Sequence, residues 1–196
     1  AIRRQRQMCI RDSKMFGAEI YVSSLVAVSM TRIMGAIMTG IIIAGRTGAS
    51  YAAVIGTMQV NEEIDALTTL GVAPSDYLIM PRILALTAMT PLLVLYSDFM
   101  GIMGGFIVGA GILGLDPMEY YTFTQKGFNI NNLWVGMTHG AVYGMLIAIT
   151  GCYQGLRCGR NAEAVGKATT SAVVYSIVGI VLSTAVLTIL FNILNI

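Results

Sequence analysis

Residues 171–196 read SAVVYSIVGIVLSTAVLTILFNILNI, twenty-six residues in a row without a charge. About 20 apolar residues in a helix cross the hydrocarbon core of a bilayer. This stretch is therefore expected to span a membrane. Three more stretches share its character. Residues 20–44 carry one charge, Arg32; residues 83–115 carry one, Asp98; residues 133–156 carry none, only His139. All are continuous runs, unlike the ten-residue alternations of a membrane barrel. The expected fold class is an all-α polytopic membrane protein. Its four transmembrane helices are expected at about 20–44, 83–113, 133–156 and 171–194. The second stretch exceeds one straight span and holds Pro91 and many glycines, which predicts a kinked or tilted helix.

Composition agrees. Of 196 residues, 11% are charged and 56% hydrophobic, with 22 glycines besides. Soluble domains run near ~25% charged, so an ordinary soluble enzyme is excluded. A disordered chain is excluded too, because such chains are poor in apolar residues. A net charge of +2 is too small to suggest a nucleic-acid partner. Three cysteines, Cys9, Cys152 and Cys158, have no zinc-like spacing and give no disulfide framework. Neither a metal nor a cofactor is expected.

Three polar connections separate the runs. The longest, 45–82, holds Glu62, Glu63, Asp65 and Asp76. Within it Asn61 is placed to cap a helix whose first turn carries Glu62 and Glu63, acids favourable against the helix dipole. Val60, Ile64, Leu67 and Gly71 fall on one face, and Gly71 with Pro74 marks the stop. A short amphipathic helix outside the membrane core is expected at about 61–71. In 114–132, Asp116-Pro117 starts a second short helix that Gly127 ends. Small residues recur every fourth position (Gly101, Gly105, Gly109; Gly136, Gly140, Gly144; Gly151, Gly155, Gly159; Gly40, Ala44, Gly48). Such rows let helices approach closely in lipid, within one chain or across a dimer seam.

Alternation places residues 1–19 and 114–132 on one side of the membrane and 45–82 and 157–170 on the other. The first side holds six Lys and Arg, the second five, so the positive-inside rule does not decide. Residues 1–14 read as a non-native tail: Met8–Ser13 spells MCIRDS, which resembles translated adaptor sequence. Without residues 1–13 the count is two against five, and 45–82 with 157–170 becomes cytoplasmic.

Chemical motifs are few. Gly159 to Thr169 has six residues between its glycines where a Walker A has four, and GxSxG, HExxH and CxxC are absent. No catalytic residue is assigned. An ionisable side chain inside a span costs roughly 2.5–3.5 kcal/mol and is by default a functional candidate. Arg32, Asp98 and His139 are the candidates for a substrate path. A buried Arg32–Asp98 ion pair is the plain structural alternative.

Residues 44–71, AGRTGASYAAVIGTMQVNEEIDALTTLG, resemble the signature of the MlaE/YrbE permeases, the membrane subunits of ABC transporters that work with MCE proteins on lipids. Its marks here include Gly45, Arg46, Gly48 and Gly56. Asp76-Tyr77-Leu78 with Pro81-Arg82, Asp98-x-x-Gly101-x-x-Gly104-Gly105, Gly151–Gly155 and Ala162–Val174 resemble later family segments in order, over roughly residues 15–193. Departures occur: the family's Arg-Glu-Leu-Gly-Pro is Arg32-Ile33-Met34-Gly35-Ala36, its Ala-Glu-Leu-Gly is Ala53-Val54-Ile55-Gly56, a usual Lys is His139 and a usual Asp is Ser183. The family has five spanning helices plus an interfacial helix, so this chain is expected to be N-terminally truncated.

The resemblance implies a multi-pass subunit of the bacterial inner membrane that moves phospholipids or related lipids as a homodimer. ATP hydrolysis would fall to a separate ATPase subunit, docked on a coupling helix with Glu62, Glu63, Asp65 and Leu67. A periplasmic MCE-domain protein would be a further partner. A secondary transporter or channel for a small solute is the alternative; it would call for paired broken helices or a lined ion path. A membrane-embedded enzyme would need a nucleophile–base or metal set.

Overall fold

A computed structural model of the chain describes residues 18–111 and 116–194. Among these the secondary structure is entirely helical, with no strand. We number the helices α1 (18–60), α2 (Glu63–Thr69), α3 (Ser75–Gly111), α4 (Pro117–Gly127), α5 (Ile130–Leu156) and α6 (Ala162–Ile193). Four of them, α1, α3, α5 and α6, are long and apolar enough to cross a membrane. The tail expected at residues 1–14 lies outside the described residues.

Helix α5 is central and packs on α1, α3 and α6. Its glycines explain how. A Cβ on Gly136 would strike the carbonyl oxygen of Thr31 in α1, and one on Gly144 would strike the Thr90 hydroxyl in α3. One on Gly151 would come 2.9 Å from the Gly48 carbonyl oxygen, and one on Gly155 2.7 Å from Ile55 Cβ. Bare backbone at these points lets two neighbours close on α5 at once. These glycines therefore serve packing within the chain. Among the described residues nothing lies within 4 Å of a Cβ placed on Gly104 or Gly179. Side-chain hydroxyls tie α5 to α6: Tyr143 to Thr184 and Thr150 to Ser176, each 2.6 Å apart.

The long connection expected at 45–82 is largely helical. Helix α1 runs on to Val60 instead of ending near residue 44, and α3 already begins at Ser75. The polarity of 45–60 misled, because that half of α1 carries small residues that pack on α5. Ala52 and Ile55 are fully buried there. Asn61 does not cap the short helix. It is the C-cap of α1, and its amide group lies 3.4 Å from Glu63 Oε1. Glu62 takes the N-terminal cap position instead, at φ 59°, with no side-chain capping bond. That left-handed residue makes the corner between α1 and α2, so α2 spans Glu63–Thr69 rather than 61–71.

The turn signals expected at Gly71, Asp116-Pro117 and Gly127 hold, whereas α6 begins at Ala162, ahead of the span expected from 171. Gly71, at φ +79°, ends α2: its N–H donates to Thr68 and that of Val72 to Leu67, a Schellman closure. The Asp116 carboxylate accepts from Met118 N at 3.1 Å with Pro117 in the first turn, and α4 ends at Gly127. Helix α3 continues through Pro91, where the Thr90 hydroxyl donates to Leu86 O at 2.7 Å.

At 1.5 Å per residue, α1 and α3 are each about 55 Å or more long, against a hydrocarbon core of about 30 Å. They must project from it. Helix α2 joins their ends on one side.

Candidate functional site

Two single π-helical turns interrupt α1, at Met30–Met34 and Ala44–Gly48. Each carries one of the helix's two cations, Arg32 and Arg46. Such bulges re-aim side chains and are frequent at functional sites.

Arg32 is half-buried and its guanidinium donates to Asn132 Oδ1 of α5 at 3.3 Å. The Arg32 carbonyl oxygen lies 4.0 Å from where a Cβ on Gly136 would sit, three residues before His139. His139 is buried; its Nδ1–H donates to the Val135 carbonyl at 2.8 Å, and among the described residues Nε2 has no hydrogen-bond partner. Its ring lies against Tyr143 and Phe191. The structure thus brings Arg32 and His139 into one region.

Asp98 packs one turn further along α1. It is 3% exposed, packs against the bare backbone of Gly35, and neither carboxylate oxygen has a hydrogen-bond partner among the described residues. No ion pair joins it to Arg32 there. The buried Arg32–Asp98 bridge is therefore not formed. Asn132 takes the place beside Arg32, a residue one hundred positions away that no local pattern marked.

Arg46 opens a different feature. With Thr39, Ile42, Tyr96, Ser97 and Met100 it lines a cleft of about 460 Å³ between α1 and α3. Thr39 is 8% exposed and its hydroxyl oxygen has no partner among the described residues. Sequence reading named Arg46 but missed Thr39, Tyr96 and Ser97. The spacing of Thr39, Ile42, Ile43 and Arg46 on one helical face was the available signal. Of the other signature glycines, Gly48 and Gly56 sit close to Ile147 and to Cys158 and Val165, while Gly45 faces open space.

Helix α2 divides its acids. Arg160, from the loop before α6, donates to Asp65 at 2.7 Å and lies 3.9 Å from Glu62. Glu63 is exposed, and Leu67 is half-buried. Ile64, buried beside Ile55 and Cys152, anchors the helix. Glu62 and Asp65 are thus held within the chain, and Glu63 is the acid left facing outward.

Comparison with known proteins follows the same outline. The sequence matches the family described as Permease MlaE over residues 7–190. It is 42% identical to a probable ABC transporter permease protein of Rickettsia typhi, covering 88% of this chain and 67% of that protein. A probable ABC transporter permease protein of Synechocystis is 35% identical over 88% of this chain and 66% of its own length. The Arabidopsis thaliana protein trigalactosyldiacylglycerol 1, chloroplastic, is 31% identical over 93% of this chain and 52% of its own length. A helical membrane bundle knit by backbone-to-glycine contacts, matched along nearly its whole length, places this chain in the MlaE permease family as a transporter permease subunit.

Proposed function

We propose that this permease moves phospholipids or related lipids between membranes, driven by ATP hydrolysed in a separate ATPase subunit. The observation that carries the lipid reading is the cleft between α1 and α3. Arg46, Thr39, Tyr96 and Ser97 give it a cation and hydroxyls, while Ile42, Leu93 and Met100 give it apolar wall. A phosphate takes charge-assisted hydrogen bonds from such a cation, and acyl chains take the rest. The Arabidopsis relative, whose name contains a diacylglycerol glycolipid, supports the same class.

In this reading Arg32, Asp98 and His139 belong to the substrate path. Helix α2 is the coupling element: it stands beyond the bilayer on the projecting ends of α1 and α3 and presents Glu63 to the ATPase from the cytoplasm. A second copy of the chain, a periplasmic MCE-domain protein and the bacterial inner membrane complete the assembly.

The test compares phospholipid co-purified with the wild-type protein and with Arg46→Gln and Arg32→Gln. Each variant keeps a polar donor and loses the charge. A lost charge-assisted hydrogen bond of about 1.5–3 kcal/mol predicts at least about a tenfold drop in retained lipid. Normal lipid content and normal transport in both stable variants would reject the lipid path. For coupling, Glu63→Lys reverses an exposed charge without touching a span, and ATPase pull-down should fall; unchanged pull-down and unchanged stimulated hydrolysis would remove α2 as the contact.

A further inference from the structure

Away from the cleft, residues of α5 and α6 near the 157–161 loop line further cavities. Two cavities of about 560 and 240 Å³ lie there and share Gln154, Arg157 and Ser171 in their walls. Tyr153 and Tyr175 line the first and Lys167 the second. No acidic residue lines either one.

Both cations are unclaimed. Among the described residues neither Arg157 nor Lys167 forms an ion pair. Asp65 and Glu62 face Arg160, and Glu163, one turn before Lys167 on α6, forms no ion pair among the described residues. Arg157 is held in place by stacking, its Cζ 5.1 Å from the Tyr153 ring centroid. Two positive charges beside an amide and a hydroxyl make an anion site with several donors.

What surrounds the charges identifies the anion. Ser171 and Tyr175 line the groove, and Val178 and Leu182 continue their row along α6 at helical spacing. Tyr175, Val178 and Leu182 are all exposed. From Lys167 to Leu182 this face runs about 22 Å, roughly one leaflet of a bilayer. A free anion has no use for that apolar row, whereas an acyl chain does. Basic pockets between spanning helices at the membrane surface favour anionic headgroups.

We propose that this groove binds the phosphate of an anionic phospholipid from the leaflet on the α2 side, with Arg157 and Lys167 as its ligands and the Tyr175–Leu182 face as the bed for an acyl chain. The site is separate from the α1–α3 cleft and does not depend on what the permease transports.

The experiment is lipid retention by native mass spectrometry on the purified protein, offered phosphatidylglycerol or phosphatidylcholine. The wild type should retain phosphatidylglycerol preferentially. Each surface cation contributes about a factor of five to anionic-lipid binding, so Arg157→Gln with Lys167→Gln should lower that retention about thirtyfold, to the phosphatidylcholine level. The charge-keeping pair Arg157→Lys with Lys167→Arg should preserve the preference. Lys167→Gln alone, exposed on α6, should lower it about fivefold and leaves the end of α5 untouched. Arg46→Gln, which lowers lipid in the cleft, should leave the preference for phosphatidylglycerol over phosphatidylcholine intact, which separates this site from the transport reading. Unchanged phosphatidylglycerol retention in the glutamine pair would overturn the proposal. So would inorganic phosphate or glycerol phosphate binding as tightly as the lipid, which would make this a free-phosphate site. Loss of the ATPase subunit with lipid retention intact would make it a protein contact and overturn it equally.

Discussion

Helix α2 has seven residues, too few to persist alone in water. Its docking must come from Ile64 or from Arg160, and magnitudes decide between them. Ile64 is 6% exposed and packed with Ile55 and Cys152. Truncating such a side chain to alanine costs about 2–5 kcal/mol. The Arg160 pairs are solvated: the side chains are 61% exposed for Arg160, 48% for Asp65 and 70% for Glu62. The short pair, after screening, contributes at most about 0.2–1 kcal/mol, and the 3.9 Å pair adds little. Ile64→Ala should therefore release α2 at least about thirtyfold more often than in the wild type, and Arg160→Gln less than about fivefold. Amide hydrogen exchange across residues 64–72 in the purified protein measures both. The Arg160→Gln effect should also vanish in 1 M salt, where the Debye length is about 3 Å. Opening in Arg160→Gln equal to that in Ile64→Ala would refute the claim that apolar burial, not the ion pairs, holds this helix.

Gly136→Ala pushes a Cβ into the Thr31 carbonyl, and backbone cannot yield cheaply, so thermal stability should fall by about 1–3 kcal/mol. Gly104→Ala, facing open space, should be neutral or gain up to about 1 kcal/mol from helix propensity; equal losses in the two would contradict the packing described. Burial pushes the Cys158 thiol up, so its reactive thiolate forms only above the ordinary thiol range near pH ~8.5. With Cys9 and Cys152 replaced by alanine, maleimide labelling should stay slow through neutral pH and accelerate beyond that range; a rate that tracks a free thiol would argue against a covered Cys158. Cysteines placed at Thr69 and Gln125 in a cysteine-free background should label from opposite sides of the membrane. Labelling of position 69 from the periplasm in intact cells would reverse the proposed orientation.

Residues 171–196 and the three other apolar runs determine four spanning-length helices without any tertiary information. The reason is the solvent: bilayer thickness and the cost of unpaired backbone leave a long uncharged run little choice but helix. Turn chemistry was equally local, so Gly71, Asp116-Pro117 and Gly127 acted as their sequence foretold. Polarity was a poor guide to where α1 ends. Residues 45–60 read as a connection, yet Ala52 and Ile55 are buried against α5, and packing extends the helix to Val60. Asn61 shows the same limit on a smaller scale: it reads as the cap of the short helix, yet the corner between two helices put Glu62 in that position and Asn61 at the end of α1.

Partners were the least legible feature. Arg32 and Asp98 are the two charges deep in spans, and pairing them was the economical reading. Tertiary structure put Asn132 beside Arg32 and left the carboxylate of Asp98 against Gly35. The basic groove between α5 and α6 likewise joins Arg157 and Lys167 across a loop. Sequence fixes which helices form because each is stabilised by its own residues and the surrounding lipid. It does not fix their mutual register and rotation, which are set by many weak contacts summed over residues distant in the chain, and side-chain partners follow from those.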